Sequence, residues 1–220
     1  MEHRITAITS QKKNRNRVNI FLDGDYAFSL AGIVAAWLRS DQVIDDGKIE
    51  MLLKADSEEK ALQKALVYIN YRPRSESEVK VRLEKAGFDP EVIAKTTEKL
   101  ISSGVLGDAQ FTQMWLENRS NSHPRSHRLM KMELKRKGVE GDQIDEALRN
   151  VPDDRNLALE AGRKYTRRLE RLEGPEFRKK ILGYLARKGF SYATIQEVIP
   201  VIWNENILKN GVSMGEKSYG

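Results

Sequence analysis

A 51-residue period runs through the last two thirds of the chain. RPRSESEVKVRLEKAGF begins at Arg72, HPRSHRLMKMELKRKGV at His123 and GPEFRKKILGYLARKGF at Gly174. Pro73, Pro124 and Pro175 stand 51 residues apart, as do Leu83, Leu134 and Leu185, and Gly87, Gly138 and Gly189. The apolar sets Val79, Met130, Ile181; Ile93, Ile144, Ile195; and Leu100, Val151, Ile202 keep the same register. A register held over such distances marks tandem copies of one supersecondary unit, and this restricts the fold more than any other feature.

The first copy shows what the unit is. Ser75 followed three residues later by Glu78 has the form of a capping box, and Pro73 disfavours helix upstream. Val79, Leu83 and Ala86 recur at helical spacing, and Gly87 stands where a left-handed cap ends a helix. Asp89 and Pro90 then offer an N-cap and a first-turn proline to a helix whose apolar face is Val92, Ile93, Leu100 and Ile101. ALQKALVYI, residues 61–69, reads as a helix of its own ahead of these. In the second copy the helices are DAQFTQMWLENR, RSHRLMKMELKRKG and DQIDEALRNV. In the third they run from Asp154 through RKYTRRLERL, then PEFRKKILGYLARKG and SYATIQEVIPVIW. About fifty residues bury little surface alone, so stacking of neighbouring units should supply much of the stability.

The first sixty residues follow a different period. ITAIT, RVNIF and YAFSL alternate in the manner of strands, with Asp23-Gly24 as a two-residue hairpin turn. Helical stretches follow around Leu30–Leu38 and Asp45–Lys54. The expected fold is therefore mainly α: three tandem three-helix units forming an elongated body that can curve, behind a small N-terminal antiparallel β region. The divisions fall at 1–56 for the hairpin and helix extension, 57–106, 107–153 and 154–209 for the repeats, and 210–220 for a C-terminal tail.

Charge is unevenly spread. Residues 155–190 hold eleven basic and four acidic side chains, an excess of +7 against +6 for the whole chain. Lys164, Arg167, Arg168 and Arg171 are spaced to share one helix face, the geometry for tracking a polyanion, with Arg163 beside them. The second repeat adds Arg125, Arg128, Lys131, Lys135 and Arg136, mostly at helical spacing. Solvated helices are also rich in Lys and Arg, so charge alone leaves nucleic-acid contact and a plain solvated face level. The aromatics Trp115, Tyr165, Phe177, Tyr184, Phe190 and Trp203 are read as core by their helical spacing.

No catalytic constellation is evident. His123 and His127 stand four apart without an HExxH pattern and with Pro124 between them, so both are read as surface or loop residues and no metal site is expected. GVLGD, residues 104–108, lacks the lysine and glycine spacing of a phosphate loop and reads as a turn between helices. DQVIDDG, residues 41–47, lacks calcium-loop spacing and reads as helix capping. The chain contains no cysteine, its N-terminus is too charged for a signal peptide, and its longest apolar run is LAGIVAAWL. A non-enzyme in a reducing, cytoplasmic setting, without membrane span or cofactor, is expected.

At LGDAQFTQMWLENRSNSHPRSHRLMKMELKRKGVEGDQIDEAL, residues 106–148, the chain closely resembles the RecX family of bacterial regulatory proteins. Phe111 and Trp115, then Asn118-Arg119, Pro124 and the block from Glu133 to Gly138 follow in the family's order. YRPRSESEVKVRLEKAGFDPEVI, LARKGFSY and the N-terminal ITAITSQKKNRNRVNIFLDGDYAFSL resemble its other blocks, so the likeness spans roughly residues 4–204. The resemblance implies a modulator that lies along the groove of the RecA filament on single-stranded DNA and restrains ATP hydrolysis, strand exchange and repressor self-cleavage; a monomer is expected. Arg125, Arg128, Lys131, Lys135, Arg163, Lys164, Arg167, Arg168 and Arg171 are the expected contacts to RecA or DNA. A sequence-specific or general DNA binder and a pure protein scaffold are the alternatives; the acidic third helix DQIDEALRNV argues against base recognition.

Overall fold

The computed structural model of the chain describes residues 1–169 and 174–216, with side chains as far as residue 208. Two compact units are present, one ending at Gly107 and the other beginning at Asp108.

In the first unit, β1 (Glu2–Ser10), β2 (Arg17–Leu22), β3 (Asp25–Ala31) and β4 (Val43–Asp45) form an antiparallel sheet of order β3-β2-β1-β4. Asp23 and Gly24, with φ of 53° and 99°, make the hairpin turn that their identities suggest. Alternation puts Ile5, Ile20, Leu22 and Leu30 on the buried side, together with Ile44. β4 was not expected, because three residues are too few for alternation to show. Its last residue, Asp45, is also the N-cap of the following helix and accepts a 2.7 Å bond from the Lys48 amide. The helix expected around Leu30–Leu38 shrinks to α1 (Gly32–Ala35), since Leu30 and Ala31 pair within the sheet.

The largest departure from expectation is α2, which runs unbroken from Asp46 to Tyr71. The segment 61–69 is therefore not a separate helix. Asp56-Ser57 looks like a helix start, yet between Lys48 and Tyr71 there is neither Gly nor Pro, and the Asp56 side chain is committed elsewhere. It is 2% exposed and receives Arg17 Nη1 at 3.1 Å, Arg17 Nη2 at 3.0 Å, Lys60 Nζ at 2.7 Å and the Ala31 amide at 2.6 Å. The sheet is thus tied to the first half of α2, while Ala61 and Ala65 in its second half pack on α3 (Glu76–Glu84) and α4 (Pro90–Ser102) through Val79, Leu83, Val92, Ile93 and Leu100. The Ser75–Glu78 capping box is present in both directions. Asp89 occupies the N-cap position of α4 without a side-chain cap bond, and Ile101, expected on the apolar face, is 41% exposed.

The second unit holds α5 (Asp108–Asn121), α6 (His127–Arg136), α7 (Gly141–Leu148), α8 (Asp154–Thr166), α9 (Gly174–Arg187) and α10 (Tyr192–Glu216). Its two three-helix repeats share one continuous core, from Phe111 and Met130 through Leu157 and Phe177 to Ile202. The stacking expected of repeats is realised here, for a reason visible in the 51-residue register. Ser75 finds the Glu78 carboxylate for its own backbone N–H at 3.2 Å, but the counterpart of Glu78 is Leu129. The Ser126 N–H instead donates to the Lys188 carbonyl at 3.0 Å, and Leu129 packs beside Gly189. The His127 amide completes the tie by donating to Asp154 Oδ1 at 2.7 Å.

Gly87, Gly138 and Gly189 all end helices at φ of 82° to 88°. Gly189 has a second constraint that Gly87 lacks: an added Cβ would lie 2.5 Å from Ser126 Oγ and 2.8 Å from Leu129 Cβ, whereas Gly87 has nothing within 4 Å. Gly87→Ala should cost about 1–2 kcal/mol for left-handed backbone alone. Gly189→Ala should add about 1–3 kcal/mol of overpacking. Urea unfolding, read by Trp37 in the first unit and by Trp115 and Trp203 in the second, measures both, and equal losses would contradict the close approach.

Burial pushes the Asp56 carboxyl up, but hydrogen bonds from Arg17, Lys60 and the Ala31 amide outweigh it and hold the group below the usual carboxylate range. A depressed folded value stabilises above the unfolded pKa of about 3.9, and that stability is lost as pH falls through the folded value. Asp56→Asn should cost the first unit about 3 kcal/mol at neutral pH. The difference from wild type should shrink below about pH 4, which unfolding midpoints across pH would reveal.

Candidate polyanion-binding surface

The expected basic residues fall into distinct environments. Ser126 caps α6, its hydroxyl accepting from the Leu129 amide at 3.2 Å, so Arg125 lies just ahead of the helix. Arg128, Lys131 and Lys135 then share a face at i, i+3 and i+7. Lys131 is drawn to the Asp145 carboxylate of α7, Oδ2 lying 2.6 Å from its Nζ. Arg128 and Lys135 are exposed, as is Arg136.

The helical face expected from Lys164 to Arg171 is not formed, because α8 stops at Thr166. Arg167 is the C-cap, and the Arg168 and Leu169 amides make turn bonds to the carbonyls of Tyr165 and Thr166 at 3.0 and 2.7 Å. That turn carries Leu169 into the core at 6% exposure and leaves Arg167 and Arg168 in solvent. Arg171 lies outside the described residues. Arg163 makes a two-pronged pair with Glu205 at 2.7 and 2.8 Å, which raises its pKa against the opposing effect of burial. Lys164 donates to the Asn121 carbonyl at the end of α5. Both are therefore bound up in holding α8 to its neighbours.

Positive charge concentrates instead where the second repeat meets the third. Arg119, on the last turn of α5, donates from Nε to Glu133 Oε2 at 3.1 Å, and Arg125 pairs with the other oxygen of the same carboxylate. The Ser126–Lys188 backbone bond brings Lys188 to these two arginines. Burial, then Arg125, then Arg119 push the Lys188 ammonium below its ordinary pKa. Burial first and Arg119 second do the same to Arg125, and burial alone does so to Arg119. Arg119 lies 4.3 Å from the centre of the Trp115 ring and Lys137 4.5 Å, both in cation–π contact.

Lys188 also sits 5.4 Å from the Tyr184 ring, which stacks on Tyr165 at 4.0 Å with 3° between planes. Arg168 and Arg187 act electrostatically on the same Tyr184 hydroxyl, which burial holds above its ordinary pKa. Cations therefore run from Arg119 and Arg125 through Lys188 to Arg168 and Arg187, around a tyrosine pair. Arg119, Arg187 and Lys188 are absent from the expected contacts because they come from two distant chain segments, the end of α5 and the end of α9, which the turn at Gly189 brings together. All six aromatics read as core pack within it or against it. His127 Nε2 lies 2.8 Å from the Pro152 carbonyl, and among the described residues no cluster of His, Asp or Glu could hold a metal. Nor is any described helix long and apolar enough to cross a membrane.

A four-stranded sheet followed by three three-helix repeats, with cations gathered at the joint of the last two, defines a repeat protein with a basic surface. Known proteins make the class specific. Residues 3–45 match the RecX N-terminal domain, and residues 61–100, 108–148 and 153–199 match the first, second and third RecX three-helix domains. The chain belongs to the RecX family. It is 34% identical to the regulatory protein RecX of Bacillus pumilus, over 89% of this chain and 76% of that one. Identity to the Bacillus subtilis regulatory protein RecX is 32%, over 92% and 78%. A crystal structure of regulatory protein RecX superposes with a TM-score of 0.67 at 26% identity, covering 89% of this chain and 98% of that one.

The free and tied cations should separate in a simple measurement. Arg163→Gln should leave the salt concentration for elution from heparin nearly unchanged, while Arg167→Gln/Arg168→Gln should lower it clearly. Equal shifts would mean that the Glu205 pair does not withhold Arg163 from polyanions.

Proposed function

We propose that this chain regulates RecA by lying along the RecA filament on single-stranded DNA, and that it acts in the inhibitory direction. Membership of a family of regulatory proteins is the observation that carries the reading. The contact surface is the exposed part of the basic set, Arg128, Lys135, Arg167 and Arg168, extended by Arg187 and Lys188. Lys131, Arg163 and Lys164 play a second role, holding this surface in shape, while Arg125 both pairs with Glu133 and adds to the positive charge at the joint.

The mechanism is differential binding. A protein bound along a filament groove shifts the filament toward whichever state it prefers, by no more than its difference in affinity for the states. Bridging neighbouring protomers from the groove blocks growth or entry of a homologous duplex. Recognition of duplex sequence is disfavoured, because α7 carries Asp142, Asp145 and Glu146 where a reading helix needs donors for base edges.

The test is DNA-dependent ATP hydrolysis by RecA on single-stranded DNA, titrated with this protein from far below to equal molarity. Substoichiometric suppression is expected. Arg167→Glu/Arg168→Glu should weaken suppression about tenfold, the loss of roughly two charge-assisted contacts. Unchanged RecA activity and no association with the filament would remove the reading.

A further inference from the structure

We infer that Arg119, Arg125 and Lys188 form a seat for one phosphodiester group of single-stranded nucleic acid at the joint between the second and third three-helix repeats. The inference rests on the reading of the chain as a protein acting on a RecA–DNA filament. It names the DNA group that is held and the place that holds it.

The first ground is an imbalance of donors and acceptors. Both oxygens of Glu133 are taken, one by Arg119 and the other by Arg125. Arg125 Nε is buried without a hydrogen-bond acceptor among the described residues. Lys188 shares the site, and among the described residues its partner is the Tyr184 ring. Three cations thus face one carboxylate in a partly buried place, with Arg119 and Arg125 only 19% and 28% exposed. Burial first, and after it repulsion from the neighbouring arginines, pushes Arg125 and Lys188 down, so part of that repulsion stays unrelieved beside Glu133. A bound anion relieves it.

The second ground is rigidity. Lys188 is placed by its own carbonyl, which accepts from Ser126, and by Gly189, whose missing side chain lets the turn close on Leu129. Arg119 is held over Trp115, its guanidinium carbon 4.3 Å from the ring centre. The donors are therefore arranged before a ligand arrives, which lowers the ordering cost of binding.

The third ground selects the anion. Guanidinium forks match the paired free oxygens of a phosphodiester, and an ammonium serves it as a point charge. Cations continue past the seat to Arg168 and Arg187 around Tyr184, which suits a chain of regularly spaced anions better than one isolated carboxylate.

The experiment is fluorescence anisotropy of a labelled short oligothymidylate with the full chain, its Lys188→Ala variant and its Lys188→Arg variant, across a salt series. Lys188→Ala should weaken binding about five- to tenfold, uniformly across sequences, and reduce the log-log salt slope by about 0.7. Lys188→Arg should stay within about twofold of wild type. Unchanged affinity and slope in a Lys188→Ala protein that still unfolds cooperatively would overturn the seat. So would binding of polyglutamate in place of the oligonucleotide, which would assign the cations to an acidic protein. RecA ATPase measured on the same samples keeps the two readings apart. Lys188-dependent DNA binding without any effect on RecA leaves the seat and removes the filament reading. RecA suppression with oligonucleotide affinity indifferent to Lys188 does the reverse.

Discussion

The hydrogen bond from the Ser126 amide to the Lys188 carbonyl is the contact on which the second unit depends. It requires a backbone that turns at φ +88° with no side chain, and Gly189 supplies both. Once α9 ends there, its last residues lie against the start of α6, and Leu129 fills the space that Glu78 holds for capping one repeat earlier. Burial follows from the same contact, since it lets two three-helix repeats that are each too small for a large core share one from Phe111 to Ile202. The charge cluster is a by-product of this geometry. Lys188 meets Arg119 and Arg125 because the chain folds back at Gly189.

Two buried or half-buried carboxylates show opposite uses of the same chemistry. Asp56 is saturated by a guanidinium fork, an ammonium and a backbone amide, so the sheet and α2 are fixed to each other with acceptors and donors in balance. Glu133 is surrounded by more cations than it can satisfy. A balanced knot stabilises a fold and offers nothing to a ligand. An overmatched one still holds its arginines in place, yet leaves positive potential at the surface.

Much of the fold was legible because its signals are local. The Ser75 capping box, the helix-ending glycines and the Asp23-Gly24 turn each depend on a few adjacent residues and on backbone sterics, and the 51-residue register repeats such local signals down the chain. What escaped the sequence depends on distant partners. Asp56-Ser57 has the look of a helix start, and only Arg17 and the Ala31 amide, more than twenty residues away, explain why α2 runs through it. Spacing alone extended α8 through Arg171, whereas burial of Leu169 ends it at Thr166. The candidate site was half legible for the same reason: Arg125 and Arg168 stand out in charge counts, while Arg119 and Lys188 acquire meaning only when the repeats stack.

Divergence among the repeats therefore matters as much as their likeness. The register positions 78, 129 and 180 are Glu, Leu and Lys, and positions 75, 126 and 177 are Ser, Ser and Phe. The first repeat closes its own helix start with a capping box. The second gives up that closure and takes its acceptor from the third, whose Phe177 is fully buried in the core they share. A repeat that satisfies itself stays energetically independent of its neighbours, whereas one that borrows an acceptor becomes rigid with the lender. A rigid joint holds its cations at fixed spacing, and that preorganisation lowers the ordering cost of binding a polyanion.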